Sequence, residues 1–112
     1  MEARPRNLVV YQDETGNKPF DEWLDDLGDT AVVARILSRI ARVEHGNFRD
    51  CKAVGDGVSE LRLAFGAGYR VYFAEVGTIV VLLLCGGDKG SQSRDIKAAK
   101  KYLEDYRRRT HA

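Results

Sequence analysis

Residues 59–95 read SELRLAFGAGYRVYFAEVGTIVVLLLCGGDKGSQSRD and contain the clearest structural pattern in the chain. Two runs in their first half, 60–65 and 69–73, alternate apolar and polar side chains around Gly66-Ala67-Gly68. Alternation of this kind is typical of half-buried strands, and the glycines between the runs indicate a hairpin loop. The sequence therefore predicts a β-hairpin with one apolar and one polar face.

A three-residue loop sets the register of this hairpin, because a two-residue loop would mix apolar and polar residues on each face. The register that follows places Arg62 opposite Tyr72, with Arg70 diagonal to Arg62 at about 7–8 Å. We therefore predict one exposed sheet surface that carries both guanidinium groups, the Tyr72 phenol and the Glu60 carboxylate. The predicted apolar pairs are Phe65 with Tyr69, Leu63 with Val71, and Leu61 with Phe73.

This polar surface could bind phosphate. The planar fork of arginine donates two parallel hydrogen bonds to a phosphate and stays charged. Cleavage of RNA requires a base for the 2′-hydroxyl, cations for the extra charge of the transition state and an acid for the 5′-oxygen. A purely structural alternative is open as well, since Arg and Glu on a solvent-facing hairpin often form only weak cross-strand pairs.

Motifs for other chemistries are absent from the sequence. No His, Cys, Asp or Glu grouping has metal-ligand spacing, so neither a metal nor another cofactor is predicted. There is no P-loop, dinucleotide fingerprint or nucleophile elbow. The glycine-rich segment 86–90 contains Lys89 but lacks the following Ser or Thr that would hold Mg²⁺.

Length and composition predict a single domain over residues 1–112. No apolar run approaches the roughly 18 residues of a transmembrane helix, and MEARPRN at the start lacks the apolar stretch of a signal peptide. Cys51 and Cys85 do not make a disulfide framework. We expect a cytoplasmic protein with reduced thiols and no membrane partner.

The net charge of +1 conceals a gradient along the chain. Residues 1–30 carry three basic and eight acidic side chains, whereas residues 86–112 carry eight basic and four acidic ones. A polyanion could therefore bind the sheet and the C-terminal region while the N-terminal segment stays away from it. Mutual neutralisation of acidic and basic regions across the fold is the alternative.

Helical periodicity appears in three segments. The first begins at Pro19 and stops at Gly28, and the second is capped by Asp29 or Thr30 and runs to about His45. A third, capped by Ser91 or Ser93, buries a stripe of Ile96, Ala99, Leu103 and Tyr106. The second helix also carries an arginine stripe, either a solvated face or a contact to phosphates, which comprises Arg35, Arg39 and Arg42.

The fold class predicted from these segments is α+β. Strands are expected at 8–11, 51–54 and 78–85 besides the hairpin, and the continuously apolar last run is typical of a central strand covered on both faces. We predict an antiparallel-dominated sheet with two N-terminal helices on one face, a C-terminal helix, and a second face that is partly open.

Several motifs together resemble the RelE/ParE toxin superfamily, and closely its branch of addiction-module killer proteins, the HigB-like toxins. The most specific ones are Gly68-Tyr69-Arg70-Val71-Tyr72-Phe73 and Leu82-Leu83-Leu84-Cys85-Gly86-Gly87-Asp88-Lys89, which are followed by Gln92 and Asp95-Ile96. Matches in the first half include Phe20-Asp21-Glu22-Trp23-Leu24, Gly46-Asn47-Phe48, Val54-Gly55-Asp56-Gly57-Val58 and Glu60-Leu61-Arg62. The resemblance covers about residues 8 to 106.

The resemblance implies a small RelE-like fold and the toxin of a type II toxin–antitoxin system. Its implied activity is a ribosome-dependent, metal-independent mRNA endonuclease (an mRNA interferase) that inhibits translation, with the ribosome and mRNA as partners. A cognate antitoxin, expected to be a helix-turn-helix protein, would hold it inactive. Two alternatives are a ParE-like gyrase-inhibiting toxin and an inactive member that only binds its antitoxin.

The resemblance also implies roles for individual residues. Arg62 and Arg70 match the strand arginines that hold the scissile phosphate, while Lys52 and Lys89 match basic residues that assist proton transfer or neutralise charge. Glu60 stands where RelE has a lysine and would act as the base or orient an arginine. RelE has a base-stacking tyrosine after the last strand, which residues 91–94 lack, so Tyr72 or the ribosome would supply the stacking. The expected RNA-binding residues are Tyr72, Arg35, Arg39 and Arg94.

Overall fold

The computed structural model of the protein describes residues 7–77 and 80–110 and confirms the α+β class. The predicted positions Thr78 and Ile79 of the last strand lie outside the described residues. In chain order the elements are β1 (Asn7–Val10), α1 (Pro19–Leu27), α2 (Thr30–Glu44), β2 (Cys51–Gly55), β3 (Val58–Arg62), β4 (Arg70–Val76), β5 (Val80–Gly87), a 3-10 helix (Lys89–Ser91) and α3 (Gln92–Thr110).

These strands form one five-stranded sheet in the order β1-β5-β4-β3-β2. All neighbouring strands are antiparallel except β1, which pairs in parallel with β5. The strand β5 is interior, as its continuous apolar run predicts, and its residues 81–85 are all buried. No helix in the ranges 7–77 and 80–110 is long and apolar enough to cross a membrane.

Helices α1 and α2 pack on one face of the sheet, as predicted. Asp29 caps α2 by accepting hydrogen bonds from the backbone of Ala31 (3.0 Å) and Val32 (3.2 Å). Gly28 ends α1 at a φ of 66°, in the left-handed region that suits glycine. The core between these helices and the sheet comprises Phe20, Ile36, Ile40, Val43, Leu61, Leu63, Val71, Phe73, Val81 and Leu83.

The second face is less open than predicted, because α3 covers β5, β4 and β3 and leaves the β2 side, with Lys52, exposed. The helix follows β5 after the short 3-10 helix and packs against β5, β4 and β3. Apolar side chains on this face of the sheet need a cover, and the predicted stripe of α3 supplies it. The second core consists of Tyr11, Val58, Tyr72, Ala74, Leu82, Leu84, Cys85, Ala99 and Leu103.

The start of α3 also differs from the predicted serine cap. Asp88 caps the 3-10 helix instead, and its side chain accepts hydrogen bonds from the backbone of Gly90 (2.8 Å) and Ser91 (3.1 Å). The helix α3 then continues from Gln92. This turn fixes the first residues of α3 above the ends of β4 and β5.

The register of the β3–β4 hairpin is shifted by two residues from the predicted one. Leu61 pairs with Val71 and Arg62 with Arg70, while the backbone N–H of Leu63 donates to the Tyr69 carbonyl at 3.0 Å. The loop is longer because Phe65 leaves the ladder and packs against Tyr69, with ring centres 5.7 Å apart. A shift of two preserves the alternation, so each side chain keeps its predicted face.

A β-bulge in β5 brings the end of this strand close to both helical layers. Tyr72 pairs with Cys85 but Phe73 pairs with Leu83, so the register shifts between them. Beyond the bulge, the backbone of Gly86 lies directly against the Trp23 indole, and that of Gly87 lies against the Asp95 carboxylate. A Cβ at either glycine would overlap these side chains.

Candidate functional site

A buried carboxylate organises the polar groups on the α3 face of the hairpin. Glu60 on β3 is fully buried. It accepts hydrogen bonds from Arg62 Nε at 2.9 Å, from the Tyr72 hydroxyl at 3.1 Å and from Gln92 Nε2 at 2.8 Å. Arg70 Nε lies 3.9 Å from the same carboxylate. Residues of β3, β4 and α3 therefore meet at one anion.

Electrostatics keep Glu60 ionised. Burial on its own would raise the pKa of Glu60, but the hydrogen bonds from Arg62, Gln92 and Tyr72 outweigh it, and the pKa lies below its ordinary value. Burial and the adjacent Glu60 carboxylate raise the pKa of the Tyr72 phenol. The pair is thus a carboxylate and a neutral phenol at neutral pH, with the phenol donating.

The two strand arginines are direct neighbours rather than diagonal ones. Arg62 and Arg70 are opposed in the ladder, and their side chains are 47% and 12% exposed. Arg70 Nη1 donates to the carbonyl of Gly68 at 3.2 Å, but its buried Nε has no hydrogen-bond partner. Like charges in directly opposed positions repel each other, so the Glu60 carboxylate between them is what makes the arrangement tolerable.

Tyr72 is not on an exposed surface, contrary to prediction. Its side chain is fully buried under α3, and its hydroxyl is held by Glu60. A base could stack on this ring only after α3 had moved away. The burial of Tyr72 could not be predicted for the same reason as the covered face, since the sequence does not specify over which strands the last helix lies.

Both candidate lysines lie beside this network and are exposed. Lys52 on β2 is directly opposite Glu60 in the ladder. Lys89 lies next to the hairpin loop, where its backbone N–H donates to the Ala67 carbonyl at 3.5 Å. Because Arg70 contacts the same loop at Gly68, the structure brings the predicted residues of β2, β3, β4 and the 3-10 helix together.

Of the three predicted RNA-binding arginines, Arg35 and Arg39 lie apart from the Glu60 network, whereas Arg94 follows Gln92 by two residues. Arg35 and Arg39 belong to α2, on the opposite face of the sheet. The Arg35 guanidinium lies over the Phe65 ring at 3.9 Å from its centre, and Arg39 forms an ion pair with Asp50. Arg94 is at the start of α3, and its side chain is 83% exposed.

Gln92 is the site residue that sequence reasoning did not assign a role. Its side chain joins α3 to Glu60, although 32 residues separate them in the chain. The motif that contains Gln92 was recognisable, but its contact depends on how α3 crosses the sheet. The importance of Gly86-Gly87 likewise depends on tertiary packing. Both positions require glycine because Trp23 and Asp95 lie against their backbone.

The chemical capacity of the site is that of fixed cations around a buried anion. Across residues 7–77 and 80–110, no three His, Cys, Asp or Glu side chains are grouped as metal ligands. Arg62, Lys52 and Lys89 present positive charge to solvent at the margin of the network. A site of this kind can bind an anion and stabilise charge that develops on it.

Comparison with known proteins identifies a relative of this chain. No family model matches the sequence. An uncharacterized protein of Haemophilus influenzae is 51% identical over 81 residues, which are 72% of this chain and 82% of the relative. Identity of this extent over most of both chains reflects common descent. The chain belongs to the same family as that Haemophilus influenzae protein.

Proposed function

We propose that the protein is the toxin of a type II toxin–antitoxin system and a ribosome-dependent, metal-independent mRNA endonuclease. The support is the resemblance of its motifs to the HigB-like branch of RelE toxins together with the site around Glu60. The ribosome, mRNA and a helix-turn-helix antitoxin are the partners in this proposal. A cytoplasmic location follows from those partners.

The observation that carries the proposal is the opposed Arg62–Arg70 pair held by one buried carboxylate. Two guanidinium charges face a single anion, so the network keeps a surplus of positive charge. The buried Nε of Arg70 has a hydrogen still to donate. An anionic ligand would neutralise the surplus, and a phosphodiester suits the planar arginine fork.

In the proposed mechanism Arg62 and Arg70 bind the scissile phosphate and hold the charge of the transition state. Glu60 orients the arginines and is not the base, because it is buried and accepts three hydrogen bonds. Lys89 and Lys52 are the exposed groups left for proton transfer or charge neutralisation. Since Tyr72 is buried, the ribosome supplies the stacking on the substrate base.

A translation assay tests the activity. Purified protein should cut mRNA only when translating ribosomes are present. Arg62→Gln should slow cutting at least about 100-fold, the cost of losing one preorganised charge-stabilising donor, and should leave the fold intact because the side chain is half exposed. Arg107→Gln on α3 is the matched control and should cut normally.

Two results would overturn the proposal. Intact mRNA after incubation of the folded protein with active ribosomes would exclude the endonuclease. Inhibition of gyrase in a supercoiling assay without RNA cleavage would instead establish the ParE-like alternative. If the protein proves harmless on expression and cuts nothing, an inactive member that only binds its antitoxin remains.

A further inference from the structure

A small polar cavity lies where α2 ends, on the opposite face of the sheet from Glu60. It has a volume of about 90 Å³ and is lined by Arg39, Arg42, Asn47 and Arg49. Three of its four lining residues are arginines. A cavity of this size holds about three waters at the volume that each occupies in the liquid.

The backbone beyond α2 folds back to form this cavity. Gly46, at a φ of 88°, lets the chain reverse, and the N–H of Asn47 then donates to the Arg42 carbonyl at 2.8 Å. The Asn47 side chain in turn accepts a hydrogen bond from the Arg49 N–H at 3.0 Å. Arg42 on the helix and Arg49 beyond it are thus brought to one depression.

The charges around the cavity are unbalanced. Arg39 forms an ion pair with Asp50, whereas within the described ranges the guanidinium groups of Arg42 and Arg49 have no hydrogen bond or ion pair. Arg42 lies in the last turn of α2, where its positive charge interacts favourably with the C-terminal end of the helix dipole. Arg49 lies outside the helix, so the dipole does not account for its charge at the cavity. Asp50 is already paired with Arg39, so positive charge is in excess among the residues that line the cavity.

We propose that this cavity binds a phosphate group through Arg42, Arg49 and Asn47, with Arg39 held in place by Asp50. Planar guanidinium groups match the oxygens of a phosphate, and the Asn47 amide can add a neutral donor. This site is additional to the arginines around Glu60.

An RNA backbone is the phosphate source that the surroundings favour, an assignment that rests on the proposed function. The carbonyl of Asp50 accepts a hydrogen bond from the Arg62 N–H at 3.0 Å, so a single residue joins the cavity to the end of β3. Free inorganic phosphate has the same chemistry and is the second possible source. Binding of phosphate as such does not depend on any nuclease activity.

The test is an NMR titration of the isotopically labelled full chain at low ionic strength. Inorganic phosphate and a short single-stranded oligoribonucleotide are added separately to the wild type, to an Arg42→Gln/Arg49→Gln double variant and to Arg107→Gln. Inorganic phosphate should shift the amides of residues 46–50 in a saturable manner. The double variant should bind at least about tenfold more weakly, a loss of about 1.4 kcal/mol, and Arg107→Gln should match the wild type.

The oligoribonucleotide identifies the source. Shifts at residues 46–50 that inorganic phosphate reverses by competition support an RNA phosphate, whereas shifts from inorganic phosphate alone support the cavity and overturn the RNA assignment. Absence of saturable shifts there with both ligands, or equal affinity in the double variant, overturns the cavity as a phosphate site. No ribosome is present, so failure here is distinct from failure of the translation assay.

Discussion

Glu60 holds together side chains from three elements, and its charge should matter more than its shape. Glu60→Gln keeps the volume but leaves Arg62 and the poorly exposed Arg70 without a counter-charge. Breaking a fully buried pair costs about 3–5 kcal/mol, and because Arg62 is half exposed we expect a loss of about 2–3 kcal/mol here. Urea denaturation at pH 7 measures it. A loss below about 0.5 kcal/mol, the usual range of surface substitutions, would contradict the organising role.

Acid should reduce this difference between the two proteins. The hydrogen bonds that Glu60 accepts place its pKa below the ordinary value of 4.5, so its stabilisation is present above that pH and is lost as pH falls through the folded-state pKa. The Glu60→Gln variant has no carboxylate at this position and therefore has no such stabilisation to lose. The gap in unfolding free energy between wild type and variant should therefore be constant from pH 7 to about 5 and narrow below about 4.

Other carboxyl groups contribute equally to the pH dependence of stability in the wild type and in Glu60→Gln. The pKa values of Asp13 and Asp105 are also lowered, the first mainly by a hydrogen bond from Thr15 and the second mainly by one from Tyr11. Both groups are present in the wild type and in Glu60→Gln, so the difference isolates Glu60. A gap that stayed constant down to pH 2 would show that the Glu60 pKa is not lowered by folding.

Substitution of Gly86 near the end of β5 tests the close packing of the Trp23 indole against this strand. A methyl group at Gly86 would overlap the Trp23 indole, which packs on the core between α1 and the sheet. We expect Gly86→Ala to lower the unfolding free energy by about 1–3 kcal/mol, the range for overpacking. At Gly90 a Cβ would meet only Asp88 Oδ1, at 3.3 Å, so Gly90→Ala should cost less than about 1 kcal/mol. Equal effects in thermal unfolding would contradict the close packing of Trp23.

The faces of the hairpin were predictable from the sequence, but the exposure of those faces was not. Alternation places Glu60, Arg62, Arg70 and Tyr72 on one side, and the structure agrees although the register is shifted by two. Whether that side meets water depends on where a distant helix packs. Glu60 and Tyr72 tolerate burial because the Tyr72 hydroxyl donates a hydrogen bond to Glu60, which also accepts hydrogen bonds from Arg62 and Gln92. Hydrogen bonds between residues far apart in the chain leave no periodic signal in the sequence.

Helix α3 acts as the cover of the candidate site, and the buried thiol beneath it can report its docking. Burial raises the pKa of Cys85 to about 12 and that of Cys51 to about 11, with nearby carboxylates adding to each effect. Both thiols should therefore react slowly with a thiol reagent at pH 8. Cys85 should react more slowly than the half-buried Cys51.

Loosening α3 should expose Cys85 selectively. Leu103 is fully buried in the α3 core, and Leu103→Ala should lower the unfolding free energy by about 2–5 kcal/mol. Peptide mapping after timed modification should show faster labelling of Cys85 than of Cys51, with the exposed Lys101→Ala as control. Equal acceleration at both cysteines would indicate global unfolding instead, and no acceleration at Cys85 would contradict the cover.

The bounds of the elements followed from local signals. Pro19, Gly28 and Asp29 mark helix ends by backbone geometry and capping, and the structure places the ends there. The hairpin register and the capping turn before α3 depended on contacts that the sequence does not mark, namely Phe65 against Tyr69 and the Asp88 cap. Long-range packing decides such features, and sequence periodicity reports only the face of each element.

The gradient of charge along the chain becomes a separation of charge between different elements of the fold. Acidic residues concentrate in α1, including Asp25 and Asp26, which are exposed. Positive charge lies at the Glu60 network and at the end of α2. An RNA strand would therefore be attracted to several parts of the molecule and repelled from α1.

Salt dependence can count the phosphates that the whole molecule contacts. For single-stranded RNA the logarithm of the binding constant falls with the logarithm of salt concentration by about 0.7 per neutralised phosphate. Under the proposed function, Arg42→Gln/Arg49→Gln removes one phosphate contact, so its slope should be shallower than that of the wild type by about 0.7. Fluorescence anisotropy with an oligoribonucleotide between about 50 and 200 mM salt covers a suitable range. Asp25→Asn/Asp26→Asn changes the net charge without touching a binding surface and should keep the wild-type slope. If the arginine double variant kept that slope, or the aspartate double variant shifted it equally, net charge rather than discrete phosphate contacts would govern RNA binding.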